Sequence, residues 1–192
     1  LGAEPSEVSR LRNRLNSAAN PEADSGEPAD LAAAGRFFDA IDALERFLRE
    51  QPENAALWAQ LGACQSAVGR TREAVASYST CLAVRPTLWR AYFWRGQAWL
   101  ELHEHERAAL DFSDALARQH DHVPSLALRA LAHLGSGDAP AAEDDLTRAI
   151  LLAPDYTRLF FMRSRVRQAR QDVVGARRDF EEGLQRKPAD EL

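Results

Sequence analysis

Three arginines and three aspartates recur in this chain at one spacing. Arg95, Arg129 and Arg163 lie 34 residues apart, and so do Asp111, Asp145 and Asp179. A guanidinium presents a planar fork of donors that matches a carboxylate, so the chemistry on offer is ion pairing. One period earlier the same positions hold Leu61 and Ser77, so the arginine and the aspartate are lost together. Joint presence and joint loss predict Arg–Asp pairs between helices, partly buried and structural. Desolvation offsets much of the Coulomb gain of such pairs, so they would fix helix register more than add stability. An arginine farther than about 6 Å from every such aspartate would lie beyond ion-pair reach.

The remaining chemistry-bearing residues point to no reaction. His103 and His105 flank Glu104, and His120 and His122 flank Asp121. A helix between the two pairs would hold them roughly 20 Å apart, whereas zinc ligands lie about 2 Å from one ion. Solvated turn histidines are the simpler reading, with His133 the one residue that could approach the first pair. Glu143, Asp144 and Asp145 open a helix, where acids suit the dipole. Cys64 and Cys81 are too few for a disulfide framework and fall at small-residue positions, which predicts buried free thiols. No phosphate loop, dinucleotide fingerprint, zinc-protease pair or nucleophile elbow occurs. The expectation is a protein that is not an enzyme and needs no cofactor or metal.

The elements that must position these residues follow from the same period. Ala40, Ala74, Ala108, Ala142 and Ala176 are evenly spaced, as are Pro52, Pro86, Pro154 and Pro188, with His120 in the slot that lacks proline. No insertion breaks the frame from Phe37 to Pro188. A fixed period of this length signals a solenoid whose units bury their apolar faces against one another. In the second repeat, Ala56 to Val68 reads as one helix, broken at Gly69. Arg72 to Val84 reads as a second, stopped by Pro86. Small Gly62 and Ala74 would let the two helices approach closely. The repeats are expected near residues 28–54, 55–88, 89–122, 123–156 and 157–190. In the first of them Gly26 and Pro28 cut the leading helix short.

The bulk numbers agree with a binding array. The 192 residues are 45% hydrophobic and 28% charged, with a net charge of -5. That balance argues against a nucleic-acid surface, which needs a concentrated basic patch. Arginine outnumbers lysine 23 to 1, an excess that base composition of the genome would produce. No apolar run reaches membrane-spanning length, so no membrane partner is expected. A cytoplasmic location is the default.

Trp58, Leu61, Gly62, Gly69, Ala74, Tyr78 and Pro86 fall at positions 4, 7, 8, 15, 20, 24 and 32 of their repeat. Tyr92, Gly96, Ala108, Phe112 and Ala115 follow in the third repeat. Leu126, Ala130, Gly137, Ala142 and Pro154 follow in the fourth, and Phe160, Ser164, Ala176, Phe180 and Pro188 in the fifth. This pattern resembles the tetratricopeptide repeat (TPR) family. The resemblance implies an all-α, right-handed superhelical solenoid of antiparallel helix pairs that binds proteins. More narrowly, Phe161-Met162-Arg163 and the run from Gly175 to Asp179 resemble TPR segments appended to bacterial serine/threonine protein kinases, although no kinase motif is present here.

The family resemblance further implies that positions 2, 5, 9 and 12 of each first helix line a concave groove. Arg90, Phe93 and Gln97 in the third repeat, Ala127 and Leu131 in the fourth, and Arg158, Phe161 and Arg165 in the fifth would then contact a peptide or helix. Phe93 and Phe161 would be anchors, and the arginines would meet carboxylates. The Lys/Asn clamp by which some family members hold C-terminal carboxylates is missing, since Ala59, Ala63, Phe93, Gln97, Ala127 and Leu131 occupy its places. Trp89 and Trp94 have no assigned core role, whereas Tyr92 and Trp99 fall at core positions.

Two expectations concern the ends. Residues 1–27 form a polar segment in which Val8, Leu11 and Leu15 have the spacing of a short capping helix behind an N-cap at Ser6. The chain reaches Leu192 without a polar cap, which predicts a parent protein that continues. Exposed Phe180 and Leu184 would also permit end-to-end self-association. A spacer or self-association segment of a larger, kinase-containing protein is therefore the alternative to a peptide-binding scaffold.

Overall fold

The structure, a computed structural model, describes residues 27–186. Ten α-helices and no strand occur among them: α1 Glu27–Ala33, α2 Phe37–Glu50, α3 Ala55–Ala67, α4 Thr71–Val84, α5 Trp89–Glu101, α6 His105–Arg118, α7 Val123–Gly135, α8 Ala139–Leu152, α9 Arg158–Ala169 and α10 Val173–Gln185. The second repeat's helices lie within a residue of the bounds read from its glycine and proline. The expected capping helix around Val8, Leu11 and Leu15 lies outside the described residues.

One turn recurs in every repeat. Gly35, Gly69 and Gly137 adopt φ of +76°, +80° and +86°. His103 and Gln171 hold the same repeat position with φ of 59° and 64°. This left-handed residue lets the next amide reach back and donate to a carbonyl of the helix just ended. The five bonds are Arg36 N to Leu31 O, Arg70 N to Gln65 O, Glu104 N to Trp99 O, Asp138 N to His133 O and Asp172 N to Arg167 O, all 2.8 to 2.9 Å. The turn into the second repeat is closed by a side-chain cap. The Asn54 side chain accepts from the amides of Ala56 and Leu57 at 3.1 and 3.3 Å and starts α3.

The chain forms two compact units divided after Ala98, within α5. In the first, α1 to α4 pack each on the next. Its core holds Ile41, Leu44, Leu57 and Leu61, and a second cluster joins Ala59, Cys81, Leu82 and Ala91. A Cβ on Gly62 would lie 2.6 Å from the Tyr78 ring, so glycine there is what permits the close approach of α3 and α4. In the second unit, α6 to α10 pack in succession. Leu126, Leu146, Leu159, Phe160 and Val166 form its core.

Candidate functional site

The periodic arginines meet their partners by a repeated geometry. Arg129 on α7 donates from Nε and Nη2 to both carboxylate oxygens of Asp145 on α8, at 2.8 and 2.6 Å. Its Nη1 donates to Ser113 Oγ on α6 at 3.0 Å. Arg163 on α9 does the same to Asp179 on α10, at 2.9 and 2.7 Å, and to Thr147 Oγ1 on α8 at 3.1 Å. Arg95 on α5 donates to Ser79 Oγ on α4 at 3.1 Å. Asp111, Asp145 and Asp179 are buried. Each of these three arginines thus reaches a hydroxyl of the preceding repeat, and Arg129 and Arg163 clamp the aspartate of their own repeat as well.

The hydroxyls Ser79, Ser113 and Thr147 were not singled out by the sequence, although they too recur every 34 residues. Nor was the position one helical turn after each arginine. It holds Arg167 in the fifth repeat, 3.0 Å from Asp179, and His133 in the fourth, 4.0 Å from Asp145. In the second repeat it holds Gln65, whose Oε1 accepts from Ser77 Oγ at 2.7 Å. Arg167 also donates from Nε to Glu143 at 2.9 Å, and Arg170 pairs with the same carboxylate. Burial alone would raise the Glu143 carboxyl, but the Arg167 and Arg170 hydrogen bonds outweigh it and hold the group below the usual carboxylate range.

The groove residues divide. Phe93 is 3% exposed and offers a partner almost no surface, which corrects its expected role as an anchor. A large ring on a first helix has been taken into the core. Arg90 is exposed beside it, with its guanidinium over the Trp89 ring at 5.3 Å, and Gln97 is half-buried. In the second unit Ala127 is buried and Leu131 is 40% exposed. Arg158 and Arg165 are exposed. Phe161 is half-buried, with its ring edge-to-face on Phe180 at 5.5 Å, so much of its surface belongs to the α9–α10 packing. Trp94 stacks on Tyr78 at 6.0 Å, and Arg107 lies over Trp99 at 4.9 Å.

No group of three metal-ligating side chains occurs among the described residues. His122 bonds Ser125 Oγ at 2.7 Å, and the His105 ring fills the space where a Cβ on Gly135 would be. Both cysteines are free and buried, and burial pushes each thiol up to about 11. No described helix is long and apolar enough to cross a membrane.

Paired helices, a left-handed turn at one repeat position and a clasp recurring every 34 residues define an all-α helical repeat. Residues 31–100 match the family model described as tetratricopeptide repeat. Solved structures agree on the fold. A crystal structure of MamA is 20% identical, covers 82% of this chain and 92% of its own, and has a TM-score of 0.80. MamA residues 41 to the end from Desulfovibrio magneticus RS-1 are 16% identical, cover 93% of this chain and 94% of that one, with a TM-score of 0.79. A thermophilic TPR protein of Thermus thermophilus is 21% identical, covers 95% and 93%, and has a TM-score of 0.62. No curated protein matches the chain.

Proposed function

We propose that this chain is a protein–protein interaction scaffold that binds a peptide or helix on the first-helix face of its second compact unit. The supporting observation is Leu131, 40% exposed on α7, together with exposed Arg158 and Arg165 on α9, the next first helix. Positions 2, 5 and 9 of a repeat share one side of their helix, so Arg158, Phe161 and Arg165 form a stripe. An apolar contact at Leu131, with guanidiniums at matching positions of the next first helix, suits a segment with one apolar anchor and carboxylates along it. Arg90 would serve a similar stripe in the first unit. Capture from a lysate of the source organism tests this. A Leu131→Asp, Arg165→Glu double variant with intact circular dichroism should lose the partner that the wild type retains. Equal capture by both would move the working surface elsewhere.

A second reading has its own support. Phe180 is 50% exposed and Leu184 is 65% exposed on α10. Two such side chains, one turn apart, would suit end-to-end self-association or a spacer role inside a larger protein. The fifth repeat's resemblance to kinase-linked arrays would give that larger protein a catalytic domain. Light scattering at rising concentration separates the readings, since Phe180→Asp should abolish any growth in mass if α10 is the contact.

A further inference from the structure

The second repeat lacks the clasp, and a cleft lies there. In the second repeat Leu61 stands where later repeats have arginine, and Ser77 where they have aspartate. The preceding repeat offers Glu45 at the position of the clasp hydroxyls. All three residues line one open cleft of about 520 Å³ between α2, α3 and α4. Leu48 and the Trp58 ring give it apolar walls. The Trp58 indole is held in place, because its Nε1 donates to the Pro52 carbonyl at 2.8 Å. Gln65 and Ser77 form a buried polar floor that is already hydrogen-bonded internally. At the rim stand Glu45, Arg49 and Glu73, the last already paired with Arg70 at 3.5 Å.

We propose that this cleft receives an arginine side chain from a partner polypeptide. The chain supplies the template itself, since Arg129 and Arg163 lie in the corresponding places of the fourth and fifth repeats and hydrogen-bond to residues at the Ser77 and Glu45 positions. A guest arginine would lay its aliphatic stem along Leu48 and Leu61 and its guanidinium against the Trp58 face. The Glu45 carboxylate would accept the charge-assisted hydrogen bond that a serine or threonine hydroxyl accepts in later repeats. Glu45 thus places a carboxylate where later repeats have a hydroxyl, while Leu61 removes the chain's own cation, so the acceptor is present and its internal donor is missing. Lysine fits less well, because an ammonium lacks the planar face that stacks on an indole. The cleft lies in the first compact unit and is independent of the Leu131 surface.

The test is a titration of the 15N-labelled chain with N-acetyl-arginine methylamide, followed by amide chemical shifts. Saturable shifts at Leu61, Gln65 and Ser77 are expected in the millimolar range. The neutral isostere N-acetyl-citrulline methylamide should bind about tenfold more weakly, and Glu45→Gln should weaken arginine binding by a similar factor. A Leu61→Arg, Ser77→Asp double variant restores the later repeats' residues. It should fill the cleft and abolish the shifts while circular dichroism and thermal midpoint hold. Absence of saturable shifts into the tens of millimolar, equal shifts with citrulline, or unchanged affinity in Glu45→Gln would each overturn the proposal.

Discussion

Asp179→Ala should be among the most damaging single substitutions in the second compact unit. Asp179 is 2% exposed and accepts two hydrogen bonds from Arg163 and one close contact from Arg167. Removing it leaves two partly buried cations facing each other without their shared carboxylate. Breaking a buried pair from one side costs about 3–5 kcal/mol. Arg163 keeps its bond to Thr147 and Arg167 keeps Glu143, so the lower end, about 3 kcal/mol, is expected here. The triple variant Arg163→Leu, Arg167→Gln, Asp179→Ser reproduces the residues of the second repeat and leaves no stranded charge. It should cost about 1 kcal/mol or less, because replacing a whole buried ionic group is far milder than halving it. Urea denaturation followed by far-ultraviolet circular dichroism gives the global figure. Amide hydrogen exchange in α9 and α10 gives the local one, which matters because repeat arrays open from their ends. An Asp179→Ala cost below about 0.5 kcal/mol, typical of a featureless surface site, would refute the structural role of the clasp. A triple variant as unstable as the single one would show that packing, not stranded charge, sets the cost.

Three further outcomes follow from the same geometry. Gln171→Gly should stabilise the chain by about 0.5–1 kcal/mol, since the left-handed strain at φ 64° exceeds the added chain entropy of glycine; a loss of stability in urea would contradict this. The Glu143 carboxyl is depressed in the folded state, so its contribution is complete above the unfolded value of about 4.3 and is lost as pH falls through the lower folded one. Glu143→Gln should therefore flatten the acid limb of stability against pH, and an unchanged limb would remove Glu143 from the account. Cys64 and Cys81, with thiols pushed up to about 11, should resist an aromatic disulfide reagent at mildly alkaline pH and react together on unfolding; rapid native labelling would mean that either one is accessible.

The sequence was most legible where one residue type recurs. Gly69 and Pro86 bounded α3 and α4 to within a residue, because left-handed backbone and a missing amide leave few alternatives. The Arg–Asp positions were visible for the same reason, as identical residues at one interval. The position held by Gln65, His133 and Arg167 was not, because three different side chains serve one geometric purpose there. The same holds for His103 and Gln171, which occupy the glycine turn without being glycine. Phe93 was misread because a family-wide groove register cannot tell whether a ring turns outward or into its neighbours. The cleft at Leu61 was half legible. The loss of arginine and aspartate was plain in the sequence, but the space between three helices required coordinates.

The most direct test of the scaffold account is site-specific photo-crosslinking in cells of the source organism. A photoreactive phenylalanine would replace Leu131 on α7, and in a separate variant Leu110 on α6, which is 68% exposed on a second helix. The account predicts a discrete protein adduct from position 131, lost when Arg165→Glu is added, and none from position 110. No adduct at 131, or the same adducts from both positions, would contradict it.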